Sequence, residues 1–171
     1  MTANATPMAI RSILRRQRRQ EPLNILTFCT HERYEQKLCQ TGHNFYSINY
    51  GKEWDTDYGE IPENYYSVRE VPHYVDFDLI LCHTACDRLR VSHNIQNDFN
   101  IPILLHMHVL PDIRHDIPTQ VNQFQYAASN VNQKSFISEF SMKAWGSSER
   151  DATFIEHGIE TDFWNIDTET Q

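Results

Sequence analysis

The side chains in this sequence best suited to moving a proton are its nine histidines, because an imidazole titrates near neutral pH. His31, His83, the pair His106 and His108, and His157 each follow a short apolar run, where a strand would hand over to a loop. Ser138-Glu139 has the same kind of position after Phe136-Ile137. Metal chemistry has weaker support. His106-x-His108 with Asp112, His115 and Asp116 brings nitrogen and oxygen ligands close in sequence, but the spacing matches no standard signature. Cys82-His83-x-x-Cys86 is one CxxxC without a second pair, and buried reduced cysteines are commoner than zinc there. No metal site is assigned. No G-x-S-x-G elbow, dinucleotide-binding glycine fingerprint or P-loop occurs, so a serine nucleophile, NAD and ATP go unsupported.

The elements that must position these residues follow an alternating order. Leu23–Cys29 is a strand-length apolar run. A helix is predicted over Glu32–Gln40, with Tyr34, Leu38 and Cys39 on its buried side and Thr41-Gly42 as its stop. His43–Ile48 is rich in β formers and completes a strand–helix–strand unit. Residues 50–63 read as a loop and Asn64–Val68 as a strand. Phe77–Cys82 is the clearest later strand, followed by a helix over Ala85–Phe99 with Leu89, Ile95 and Phe99 inward. Ile101–His106 is the next strand, its proline at the start where it is tolerated. A helix around 118–130, short strands at Lys134–Ile137 and Thr153–Ile155, and a helix capped by Ser138 and ended by Gly146 complete the order. Near-continuous apolar strands indicate burial on both faces. About six strands with intervening helices predict a doubly wound, mostly parallel α/β sheet of Rossmann-like type, in one domain with helices on both faces. In that architecture sites sit at the carboxyl ends of strands, where the histidines fall.

Composition bounds the rest. The chain has 171 residues and a formal charge of −8, enough for one domain with a core. No apolar run is long enough to span a bilayer. Four cysteines are too few for a disulfide scaffold, and a cytoplasmic location is expected. Five arginines and no acid lie in the first 20 residues, so the overall −8 leaves −13 on the remainder. An acidic body is a poor partner for nucleic acid, and none is expected. Residues 1–21 read as a basic, flexible arm in which Ile10, Ile13 and Leu14 could form one amphipathic turn. Weak contact with an anionic membrane surface is the functional reading of that arm, and a solvated terminus the simpler one.

Three pieces in order carry a family resemblance: Ile101–Pro111 with its two histidines, Phe136–Gly146 with its serine-led helix, and Phe154–Phe163 with the turn His157-Gly158-Ile159-Glu160-Thr161-Asp162-Phe163. Together they resemble the N-terminal half of a GT-B glycosyltransferase of the retaining group 1, family 4 type. The resemblance covers about residues 22–164 and implies a Rossmann-like acceptor-side domain there, with 165–171 a tail at the interdomain crossover. It implies transfer of a sugar from a nucleotide-sugar to an acceptor hydroxyl. By residue matching His108 is the catalytic histidine near the donor sugar, with His106 second. The two are read as alternating along the strand, so that only one reaches the cleft if the strand persists. His31, Glu32 and Arg33 are assigned to acceptor hydroxyls, against the simpler reading of a helix N-terminus. His83, Ser138 and Glu139 complete the expected substrate-binding set, with capping an equal reading of Ser138-Glu139.

The sequence departs from the family in two ways. Thr30-His31-Glu32-Arg33 holds no glycine, where the family often has a glycine-rich loop, and no two glutamates stand eight positions apart. The paired-glutamate signature belongs to the family's second, donor-binding domain. The resemblance therefore implies a truncated piece, half of a split enzyme, or a remnant used for binding, inactive alone. No cofactor is expected on this chain by itself; a nucleotide-sugar donor is expected with a partner domain. Expected partners are a sugar-acceptor substrate and a C-terminal glycosyltransferase half, or a second copy of the chain. The alternative is a non-catalytic α/β binding or assembly protein on the same scaffold.

Overall fold

A computed structural model describes residues 7–84 and 87–156, with side chains from residue 13. Seven short runs form strands: β1 Asn24–Phe28, β2 Asn44–Ile48, β3 Tyr65–Val68, β4 Leu79–His83, β5 Ile103–Met107, β6 Gln133–Phe136 and β7 Thr153–Phe154. Every pairing is parallel, in the order β3-β2-β1-β4-β5-β6-β7. This is the expected doubly wound Rossmann-like sheet, one strand longer than the count of six. Strand order reverses between β1 and β4, which makes their carboxyl ends the crevice where such sheets bind ligands.

Successive strand residues point to opposite faces, and the two faces are covered differently. Leu26, Phe28, Ile80, Ile103, Leu105 and Phe136 are fully buried on one face. They pack under α3 (Asp87–Phe99), α4 (Ile117–Ala127) and α5 (Glu139–Ala144) through Leu89, Phe124 and Met142. Val71 and Phe77, from the helix-free crossing between β3 and β4, extend that cover. The other face holds a smaller cluster of Ile25, Phe45 and Leu81 under α1 (Pro7–Arg19) and α2 (Glu32–Cys39), which contribute Ile13, Leu38 and Cys39.

The helix boundaries follow local chemistry. Ser138 is the N-cap of α5, its Oγ accepting from Ser141 N at 3.0 Å. Gly146 ends that helix at φ +71°, a left-handed conformation that glycine adopts without steric cost. Asp116 caps α4 by accepting from Thr119 N at 2.9 Å.

Of the arm expected over 1–21, Pro7–Arg19 is an α-helix. It is tied to the body where Arg16 Nε lies 3.1 Å from Oδ1 of the buried Asp78, which also accepts from Asn24 N. Arg15, Arg18 and Arg19 are exposed. Among the described residues no helix is long and apolar enough to cross a membrane.

Candidate functional site

Strand register assembles the site. His83 on β4 pairs with His106 on β5, and His106 pairs with Ser135 on β6. Register partners in adjacent strands carry side chains on one face about 5 Å apart, so these three form one row across the carboxyl end of the sheet. The His106 and His108 rings lie 4.4 Å apart, edge to face. His83 Nδ1 is 2.8 Å from His108 Nε2, and His106 Nδ1 is 2.6 Å from Ser135 Oγ. Tyr34 of α2 closes the cluster, its ring edge-on to His83 at 5.2 Å and to His108 at 4.7 Å.

The expectation that only one of His106 and His108 reaches the cleft is overturned. Residues two apart on a strand share a face, and both rings stand in the same cluster. They differ in depth: His106 is 7% exposed, while His108, just beyond the strand end, is half-buried.

His83 is 1% exposed. Burial holds its imidazolium well below the usual histidine range, and repulsion from His108, His106 and Arg88 adds to this. His83 therefore stays neutral, and its contact with His108 joins one ring N–H to the other ring's lone pair. Its Nε2 is buried with no hydrogen-bond partner among the described residues. The chain leaves β4 sharply: Thr84 has φ +66°, and its N–H donates to His106 O at 3.2 Å. A β-branched residue there costs on the order of 1–3 kcal/mol, a strain sited at the switch point.

The other predicted site residues go elsewhere. His31 and Arg33 are exposed and both turn to Tyr58, His31 with ring centroids 5.0 Å apart and Arg33 with its guanidinium 5.3 Å from the ring. They face the 50–63 loop rather than the imidazoles. Ser138 is occupied in its cap, and Glu139 pairs with Lys143 at 2.5 Å. His157 and the turn to Phe163 lie outside the described residues, as do the 165–171 tail and Cys86. Asp112 binds Arg114 at 2.8 Å and Asp116 caps α4, so these two members of the weighed metal set have other partners. Among the described residues no three His, Cys, Asp or Glu side chains are placed to hold a metal.

The buried side of α2 also needs correction. Cys39 is buried, but Tyr34 and Leu38 are only half-buried, and the deepest residues are Glu32 at 5% and Glu35 at 4% exposure. Glu32 turns in to meet Lys52 Nζ at 2.7 Å. The Lys52 hydrogen bond, with backbone N–H groups, holds the Glu32 carboxyl below its ordinary value despite burial. Glu35 Oε1 accepts from Thr30 N and Oγ1. Both glutamates line a pocket of about 280 Å³ at the carboxyl ends of β1, β2 and β3, with Lys52, Trp54, Ser67 and Arg69. There Tyr65 is pushed well above its usual range by burial first, then by Glu35.

No family model and no curated protein matches the chain. Among solved structures it is similar to the crystal structure of Anabaena Alr3699/HepE in complex with UDP, at 13% identity and a TM-score of 0.54. The likeness is one of fold. It covers 84% of this chain but 46% of that one, so the chain spans about half the length of the structure it matches. That agrees with the expected Rossmann-like fold and adds nothing to the family assignment implied by the sequence resemblance.

Sequence reasoning missed Tyr34, Ser135, Lys52 and Glu35. Ser135 carried no signal, because only strand register brings it beside His106. Lys52 carried none, because only the fold brings its loop over α2.

Proposed function

We propose that this chain is the acceptor-side half of a glycosyltransferase that moves a sugar from a nucleotide-sugar to an acceptor hydroxyl. The supporting observation is the His83–His106–His108 cluster, gathered at the carboxyl rim of a fold shared with a protein solved with UDP. His108 is the proposed catalytic residue. It is the most exposed of the three rings, and its Nε2 is held from behind by a neutral His83, which orients the imidazole toward the rim. In this role it hydrogen-bonds the transferring sugar while the acceptor oxygen bonds the anomeric carbon, the bond from that carbon to the phosphate oxygen breaks, and the acceptor's proton leaves with the nucleoside diphosphate. His106 and Tyr34 keep the ring upright. Glu32, with its carboxylate ordered by Lys52, is the best placed of His31, Glu32 and Arg33 for acceptor hydroxyls.

The leaving diphosphate needs helix N-terminal N–H groups or cationic side chains, and these are assigned to a second, donor-binding half. Val109, Leu110 and Ile113, exposed in the loop that carries His108, offer that half an apolar contact.

The test is sugar transfer from a panel of nucleotide-sugars with the donor-binding half supplied. His108→Ala should lower the rate by about a hundredfold or more. Unchanged transfer by that variant would sink the assignment, and micromolar binding of a nucleotide-sugar to this chain alone would contradict the division of labour.

A further inference from the structure

The arginines of the N-terminal segment stand on a helix held in a fixed orientation. Ile13 of α1 packs against the smaller apolar cluster of the sheet. Arg16, one turn on, meets the buried Asp78 at 3.1 Å and donates from Nη1 to Pro22 O at 3.3 Å. These two anchors set the roll of the helix and turn another side outward. Arg15 and Arg18 neighbour each other there at i, i+3, Leu14 and Arg18 at i, i+4, and Arg15 and Arg19 at i, i+4. The four side chains line a shallow concavity of about 290 Å³. Leu14 is 49% exposed in it. Arg19 touches only the exposed Glu21, at 3.6 Å, and among the described residues Arg15 and Arg18 form no ion pair.

We infer that this outer face of α1 docks on an anionic phospholipid surface, with the three arginines on headgroup phosphates and Leu14 at the acyl boundary. A leucine ringed by arginines is the pattern of a helix lying in a membrane interface, where both kinds of side chain find a partner. A nucleic-acid backbone would take the arginines but offers Leu14 nothing. Residues 21–171 sum to −13, which opposes wrapping along a polyanion. On a flat membrane most of that acidic body stands farther away than the Debye length of about 8 Å, so its repulsion is screened. Asp78 directly precedes β4, which places the anchored turn at the amino edge of the sheet. Docking there leaves the carboxyl rim and its imidazoles open. The inference does not depend on the sugar-transfer reading.

The experiment is co-sedimentation of the full chain with vesicles of phosphatidylcholine alone and with about one-third phosphatidylserine. Each arginine near an anionic surface is worth about fivefold in partition, so the mixed vesicles should bind about a hundredfold better than the neutral ones. Arg15→Gln/Arg18→Gln/Arg19→Gln, all at exposed positions where folding is not at stake, should abolish that preference. Leu14→Gln keeps every charge and should weaken binding to the mixed vesicles about fivefold. His108→Ala should bind as the wild type does, so failure of the sugar-transfer reading leaves this one standing. Equal partition onto the two vesicles, or a triple variant that binds like the wild type, overturns the inference. So does tighter binding to a duplex oligonucleotide than to the mixed vesicles at the same salt, which would assign the face to nucleic acid.

Discussion

Acidification should destabilise this protein through His83. The residue is 1% exposed among two other imidazoles and near Arg88, so the native state resists its protonation, whereas the unfolded chain accepts a proton near the ordinary value of 6.5. The unfolded state thus binds more protons as pH falls, and stability is lost below about pH 6.5. Above that value the contribution is complete. For a group that stays neutral in the native state, the loss between about pH 7.5 and about pH 5.5 is on the order of 1 kcal/mol, and it grows as pH falls further. In a domain of this size that is a fall of about 2–4 °C in Tm. The assay is calorimetric Tm against pH for the wild type and for His83→Gln. Groups remote from His83 contribute equally to both, so the difference between the curves reports the His83 imidazole together with its contact to His108. The wild type should lose its advantage as pH falls. Parallel curves would refute the reasoning, because His83 would then protonate as readily folded as unfolded.

Ser138→Ala removes the acceptor for Ser141 N and should cost about 1 kcal/mol, read as a lower urea midpoint with unchanged slope. Gly146→Ala should cost more than about 1 kcal/mol, because φ is +71° and a Cβ would stand 3.0 Å from Val121 Cγ1; an unchanged Tm would refute both the backbone strain and the close approach. Lys52→Ala leaves the Glu32 carboxylate buried without its cation, but Lys52 is itself 46% exposed, so the loss should stay within about 1 kcal/mol and shrink at high salt.

Much of the frame was legible in residue types. Strands were readable because parallel strands buried on both faces need continuous apolar runs, and Leu79–Cys82 and Ile103–Leu105 can be little else. The Ser138 cap and the Gly146 stop were readable because each meets a need of the local backbone. The orientation of α2 was not. Its apolar spacing pointed to Tyr34 and Leu38, and it took Lys52, folded back from the loop after β2, to make burial of Glu32 favourable.

By itself the sequence determined that the chain alternates strands and helices, and that imidazoles stand at strand ends; both follow from side-chain size, polarity and short-range spacing. Only the tertiary structure decided which imidazoles meet. His83, His106 and Ser135 are distant in sequence and become neighbours through strand register, while His31, at an equally suggestive strand end, is carried off with Tyr58. Register is set by pairing between strands and by burial of a whole face at once, which no local pattern encodes.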